Sequence, residues 1–168
     1  MSIYAPEYLF HPEGWLQHHV IEIDEQGFVV SVRKRTDQEQ VQELQGYLIP
    51  GLVNAHCHLE LSHLKGQIEA GNGMAPFIRE VFRLRSAFSE EVQEEALYQA
   101  IEEVIQSGTV AIGDICNTNI TVEAKTRTPQ LHIHNFLELP GLDPSRSEQV
   151  WAHGESLRQA FGDLPHSF

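Results

Sequence analysis

Two histidines one residue apart, His56 and His58, close an apolar run that opens on Leu48, Ile49, Pro50 and Gly51. On an extended strand side chains alternate, so His56 and His58 share one side and Cys57 takes the other. Two imidazoles on one side of a strand end can reach a single ion, and neutral imidazole nitrogen is a standard ligand for zinc and neighbouring metals. Catalytic zinc normally has three protein ligands plus water, so the pair predicts part of a metal site.

The elements around this pair must place it. The run before the two histidines is too continuously apolar for a half-exposed strand, so 52–58 is expected to be a parallel strand covered on both faces. The C-terminal end of such a strand is where a (β/α)₈ barrel carries its chemistry. A short helix is expected over 76–85, with Phe77, Ile78, Val81, Phe82 and Leu84 as an apolar face. Ser89 caps a longer one, Glu90 and Glu91 suit its N-terminal end, and Gly108 ends it. Its core face is Val92, Ala96, Ala100, Ile101, Val104 and Ile105, at helical spacing. Residues 109–114 and 131–139 read as two further strands, and 147–161 as a helix with Val150, Trp151, Leu157 and Phe161 inward. A fourth strand begins after Gly162. Strand–helix–strand alternation predicts a parallel sheet with right-handed crossovers.

Other residues on these elements could do chemistry. Glu60 and His63 fall on the segment 59–74, which carries Gly66, Gly71 and Gly73 and reads as a long loop over the site mouth. A carboxylate so near two ligands orients one of them or recognises a substrate amine. Asp114, at a strand end, either supports the metal site from a second layer or caps the next turn, and capping is the simpler role. His132 and His134 form a rival pair, but they come early in their strand, where barrel residues serve stability. They are expected to be packed or hydrogen-bonded. Glu138 ends the same strand and by parity faces the mouth, as a substrate contact. His166 lies too near the start of its strand to reach that mouth.

The net charge of −13 disfavours nucleic acid and anionic membrane surfaces, and no apolar run approaches a membrane span. The two cysteines, Cys57 and Cys116, build no disulfide framework, and a reducing cytoplasm is the simplest setting. No signal peptide is visible in 1–14. Residues 1–45 read as short strands, with 20–24 and 28–33 flanking a hairpin at Gly27 and a polar stretch at 37–45 that is a loop or one edge strand. The expected division is 1–48, part of a β-domain, and 49–168, part of a barrel. A full barrel takes about 250 residues, whereas the chain has 168.

Residues 48–66, LIPGLVNAHCHLELSHLKG, resemble the signature of the amidohydrolase superfamily, in its metal-dependent deaminase and chlorohydrolase branch. The HLELSHLKG continuation is most similar to aminodeoxyfutalosine deaminase-like members. The resemblance implies an α/β fold: the N-terminal part of a (β/α)₈ barrel, about three to four βα units, after part of a small β-sandwich domain. It implies one divalent metal ion, zinc first, with iron or manganese as alternatives, held here by His56 and His58. Family members add a histidine on each of strands five and six and an aspartate on strand eight. The implied reaction is hydrolytic deamination of a purine-nucleoside-like or other small aminated substrate, with this chain supplying half the site and inactive alone. Two other readings stand beside it: a half-barrel subunit needing a partner chain, and a non-catalytic histidine-rich metal-binding or scaffold protein. An open half-barrel, with Val53, Ile112 and Phe136 facing an uncovered interior, predicts self-association.

Overall fold

Asp24 organises one turn of the N-terminal unit. Its Oδ1 accepts from the amides of Gln26 at 2.9 Å and Phe28 at 2.8 Å, while Gly27 takes φ +90°. The structure, a computed structural model, describes residues 1–141, 143–162 and 164. The turn joins β3 (His19–Ile23) to β4 (Val29–Lys34). The long β1 (Ser2–His11) pairs antiparallel with β2 (Gly14–Leu16) and β3, and parallel with β5 (Gln42–Leu48), giving a mixed five-stranded sheet. The stretch 37–45, left open between loop and edge strand, is loop at 37–41 and enters the strand β5 at Gln42. Its polar residues conceal Tyr47, which stacks on Tyr8 at 4.6 Å and meets Trp15 edge-on at 5.1 Å.

The chain divides between Pro50 and Gly51 into two compact units. In the second, β6 (Leu52–Cys57), β7 (Thr109–Cys116) and β8 (His132–Leu137) form a parallel sheet in that order. Helices α1 (Met74–Leu84), α2 (Glu90–Gln106), α3 (Val122–Thr126) and α4 (Ser147–Phe161) accompany it. Ser89 occupies the N-cap of α2, and Gly108 follows its end at φ +80°, a value L side chains resist. Leu97 and Ile101 of α2 bury with Leu59, Ile112, Ala124, Leu131 and Ile133. Cys116, Leu157 and Phe161 make a second cluster.

Several core expectations are corrected. Val92 is 45% exposed, because the sheet-facing stripe of α2 centres on Leu97. Trp151 is 67% exposed, because α4 turns Leu157, Phe161 and Gly154 inward; a Cβ on Gly154 would lie 2.7 Å from Leu139. No residue of α1 is buried. Among the described residues only one face of the sheet is covered, not two, and Leu52–His56 are exposed. Ile112, expected toward the interior, is buried on the helix-covered face. The fourth strand expected over 163–168, with His166, lies outside the described residues, apart from Leu164.

The strand β6 carries an irregularity that bears on the histidines. Asn54 pairs with Ile112 and Cys57 with Asp114, so three steps on β6 oppose two on β7, a β-bulge. Asn54 Oδ1 accepts from the His56 amide at 3.2 Å and satisfies the bulged backbone. The opposing position must be Gly113, since a Cβ there would sit 2.6 Å from the Ala55 carbonyl oxygen and 3.1 Å from the Phe136 ring. The extra residue resets parity, so Val53 and Ala55 line the open face while Cys57 enters the covered one.

Candidate metal and substrate site

The rings of His56 and His58 lie 5.2 Å apart between centroids, with planes inclined at 72°. Cys57, between them, packs against the helix-side core, and its thiol donates to Asp114 Oδ1 at 3.6 Å. Alternation therefore turns both imidazoles away from that core. His58 Nδ1 is buried with no hydrogen-bond partner. A buried imidazole nitrogen without a partner calls for one, and a metal ion is among the groups that supply it. The pair fits two ligands of one divalent ion; among the described residues no group of three His, Cys, Asp or Glu side chains could hold one.

The segment after His58 is not an open loop. Residues Leu59–Leu64 form a 3₁₀ turn that buries Leu59, Glu60, His63 and Leu64. Glu60 Oε2 accepts from the amides of Asn117 at 3.0 Å and Thr118 at 2.8 Å, and from the Thr118 hydroxyl at 2.7 Å. Its other oxygen lies 3.6 Å from the Arg85 guanidinium. His63 Nε2 donates to the Arg85 carbonyl at 3.2 Å, and its ring meets Phe88 edge-on at 5.5 Å. A cavity of about 600 Å³ opens beside His58 and His63, walled by Leu61, Phe77, Val81 and Ala96.

Glu138 stands one residue past β8, exposed. The Asn117 side-chain amide donates to its carboxylate at 2.9 Å and to its backbone carbonyl at 3.0 Å, and His153 Nε2 donates to the Asn117 carbonyl at 2.7 Å. Asn117 thus ties Glu60 to Glu138 where β7 and β8 end. Of the three expected substrate contacts, Glu138 alone is exposed. His132 and His134 lie lower on β8, beside Ala111 and Gly113, in a trough of about 350 Å³ with Val53 and Phe136. His132 is exposed, not packed, and His134 lies against Phe136 at 4.5 Å.

Asp114 faces the covered side and is fully buried. It does not cap its own turn. Its Oδ1 accepts from the Leu59 amide at 2.8 Å, the residue after His58, and its Oδ2 pairs with Lys125 Nζ at 2.5 Å. Lys125 also donates to Asn135 Oδ1 at 2.7 Å and to Cys116 Sγ at 3.2 Å. Burial, and after it the negative Asp114, pushes the thiols of Cys57 and Cys116 each up to about 12. Sequence reasoning missed Lys125, Arg85, Asn117 and Thr118. The position of Asn117 directly after a strand end was the one available signal, since βα junctions of parallel sheets carry functional side chains.

The sequence profile of the amidohydrolase family matches residues 47–148. Aminodeoxyfutalosine deaminase of Nitratiruptor sp. is 24% identical over 157 residues, which are 90% of this chain and 38% of that protein. The crystal structure of Helicobacter pylori aminofutalosine deaminase in complex with methylthio-coformycin superposes with a TM-score of 0.72 at 21% identity, covering 95% of this chain and 41% of that one. An adenosine deaminase from Xanthomonas campestris with bound zinc gives 0.69 at 17% identity, over 99% of this chain and 41% of that one. The chain thus spans about two fifths of the proteins it matches. At these identities the superpositions speak to the fold. No helix among the described residues is long and apolar enough to cross a membrane.

Proposed function

The chain belongs to the amidohydrolase family, and from that premise we propose that it is part of a metal-dependent hydrolase that deaminates a purine-nucleoside-like or other small aminated substrate. In this reading residues 49–168 are the first part of a (β/α)₈ barrel and residues 1–48 part of a small β-sandwich domain. The observation that carries it is the imidazole pair at the end of β6, turned from the core with His58 Nδ1 unpartnered. Deaminases among the relatives, one with bound zinc, support the reaction class and the metal.

His56 and His58 would hold the ion, zinc first. When bound, such an ion supplies a water acidic enough at neutral pH to attack the carbon bearing the amino group, with ammonia leaving. Glu138 is the exposed carboxylate that receives a substrate hydrogen-bond donor, and Asn117 holds it in place. Glu60 acts one step back by fixing the Asn117 amide. His63 walls the neighbouring cavity. Asp114 supports the histidines from the covered side.

The open face of the sheet, with Val53 68% and Phe136 45% exposed, favours a second reading, in which the remaining strands come from a partner polypeptide. Activity with aminated purines tests both. The 168-residue chain is expected to show no turnover alone. It should gain turnover when co-expressed with the later strands of a related deaminase, and lose it again on His56→Ala. Turnover by the chain alone that survives His56→Ala would refute the proposal.

A further inference from the structure

The sheet's covered side holds a charged pair that its packing does not require. Lys125 and Asp114 have side chains 2% and 0% exposed, in contact at 2.5 Å. Taking two charges out of water is expensive, and an apolar pair of similar volume commonly serves a core as well or better. What the pair does is hold other groups in place. Lys125 reaches Asp114 and Cys116 on β7 and Asn135 on β8, and its ammonium lies 5.0 Å above the Phe161 ring. Asp114 reaches the exit of β6, accepting from the Leu59 amide at 2.8 Å and from the Cys57 thiol at 3.6 Å. The residues so gripped, Cys57 and Leu59, bracket His58.

We propose that Lys125 is a positioning residue for the histidine pair, acting through Asp114 and the Leu59 backbone. This rests on the reading of His56 and His58 as ligands and extends it to a residue 67 positions after His58. The bulge interrupts the ladder, which resumes only at Cys57–Asp114, and His58 lies one residue past that last pair, so strand pairing alone does not fix its direction. Beyond that pair the Asp114 carboxylate carries the contact on to the Leu59 amide, and Lys125 fixes the carboxylate. A positive charge inside the core achieves this without occupying the open side.

Two neutral double variants of the full chain test it. In D114N/K125M an amide oxygen can still accept from Leu59; in D114V/K125M nothing can. The ring-proton NOE between His56 and His58 reports their geometry without metal, and cobalt(II) titration reports the consequence. D114N/K125M, which keeps the acceptor but lacks the ammonium that fixes it, should weaken the NOE and raise the cobalt midpoint about threefold; an unchanged NOE and midpoint would leave Lys125 no positioning role and overturn the proposal. D114V/K125M should melt cooperatively yet lose the NOE, with the cobalt midpoint at least tenfold higher; a tenfold change is the scale of one lost well-placed contact. A folded D114V/K125M that keeps the NOE overturns the proposal. Absence of cobalt binding by every form, with the NOE behaving as described, supports the positioning role and refutes the metal reading instead. If D114V/K125M does not fold, amide exchange in the unmodified chain decides. Leu59 should exchange as slowly as Ile112, and fast exchange there overturns the proposal.

Discussion

The two faces of the parallel sheet are made from the same three strands and differ in nearly everything else. On the covered face, Ile112, Ile133, Asp114, Asn135 and Cys116 are all less than a tenth exposed, and the charged Lys125 is buried among them. On the other face, Val53 and Phe136 are exposed and the trough holds His132 and His134. The covered face spends polar groups on fixing strand ends to one another. The open face keeps its imidazoles accessible and leaves apolar surface for something else to cover. In the proposed reading the chemistry belongs to the second face, and the first holds its strand ends in place.

The largest effect that would sharpen this contrast is Lys125→Met alone. It leaves the Asp114 carboxylate buried without its cation, and breaking a buried pair in this way costs about 3–5 kcal/mol. Urea unfolding should show a loss of that size, with most of it recovered in D114N/K125M. A loss below about 1 kcal/mol would mean that water reaches Asp114 and that the face is not dry.

Next come paired truncations across the sheet. Ile112→Ala, at a site 2% exposed, should cost about 2–4 kcal/mol through lost burial and a cavity. Val53→Ala, at a site 68% exposed, should stay within about 0.5 kcal/mol. Equal costs would show that both faces are covered in solution.

The smallest effect is a rate. Burial and the nearby Asp114 push both thiols up to about 12, so at pH 8 they are un-ionised and poor nucleophiles. Alkylation of Cys57 and Cys116 should follow unfolding and not precede it. The sign for stability is also fixed. The ordinary thiol value is 9.0, so the folded state holds its protons more tightly. The contribution is complete below about pH 9 and lost as pH rises from about 9 toward about 12. Rapid alkylation of the native chain at pH 8 would contradict the placement of the thiols on the dry face.

Much of this was legible in the residues, for reasons that also mark the limit. Apolar runs and helical spacing gave the three parallel strands, α2 and α4, and Ser89 and Gly108 marked the ends of α2. Parity counting fails at Ile112 because Val53 pairs with Ala111 and not with Ile112, and strand register is not visible in the residues; the bulge at Ala55–His56 lies beyond that pair. Glu60 and His63 read as loop residues because their partners are remote; the donors to Glu60 lie 57 and 58 positions away. Lys125 sits in a five-residue helix with no apolar period to signal burial. Tyr47 carries β5 into the sheet by stacking on Tyr8, a contact that its polar neighbours do not reveal.

In the proposed reading His56 and His58, and not the rival pair on β8, hold the metal. Zinc titration of the ¹⁵N-labelled chain, followed through the imidazole nitrogen shifts, tests it most directly. The predicted result is that His56 and His58 shift together, at zinc concentrations that leave His63, His132 and His134 unmoved. Movement of His132 and His134 first, or no movement of His56 and His58 at saturating zinc, would contradict it.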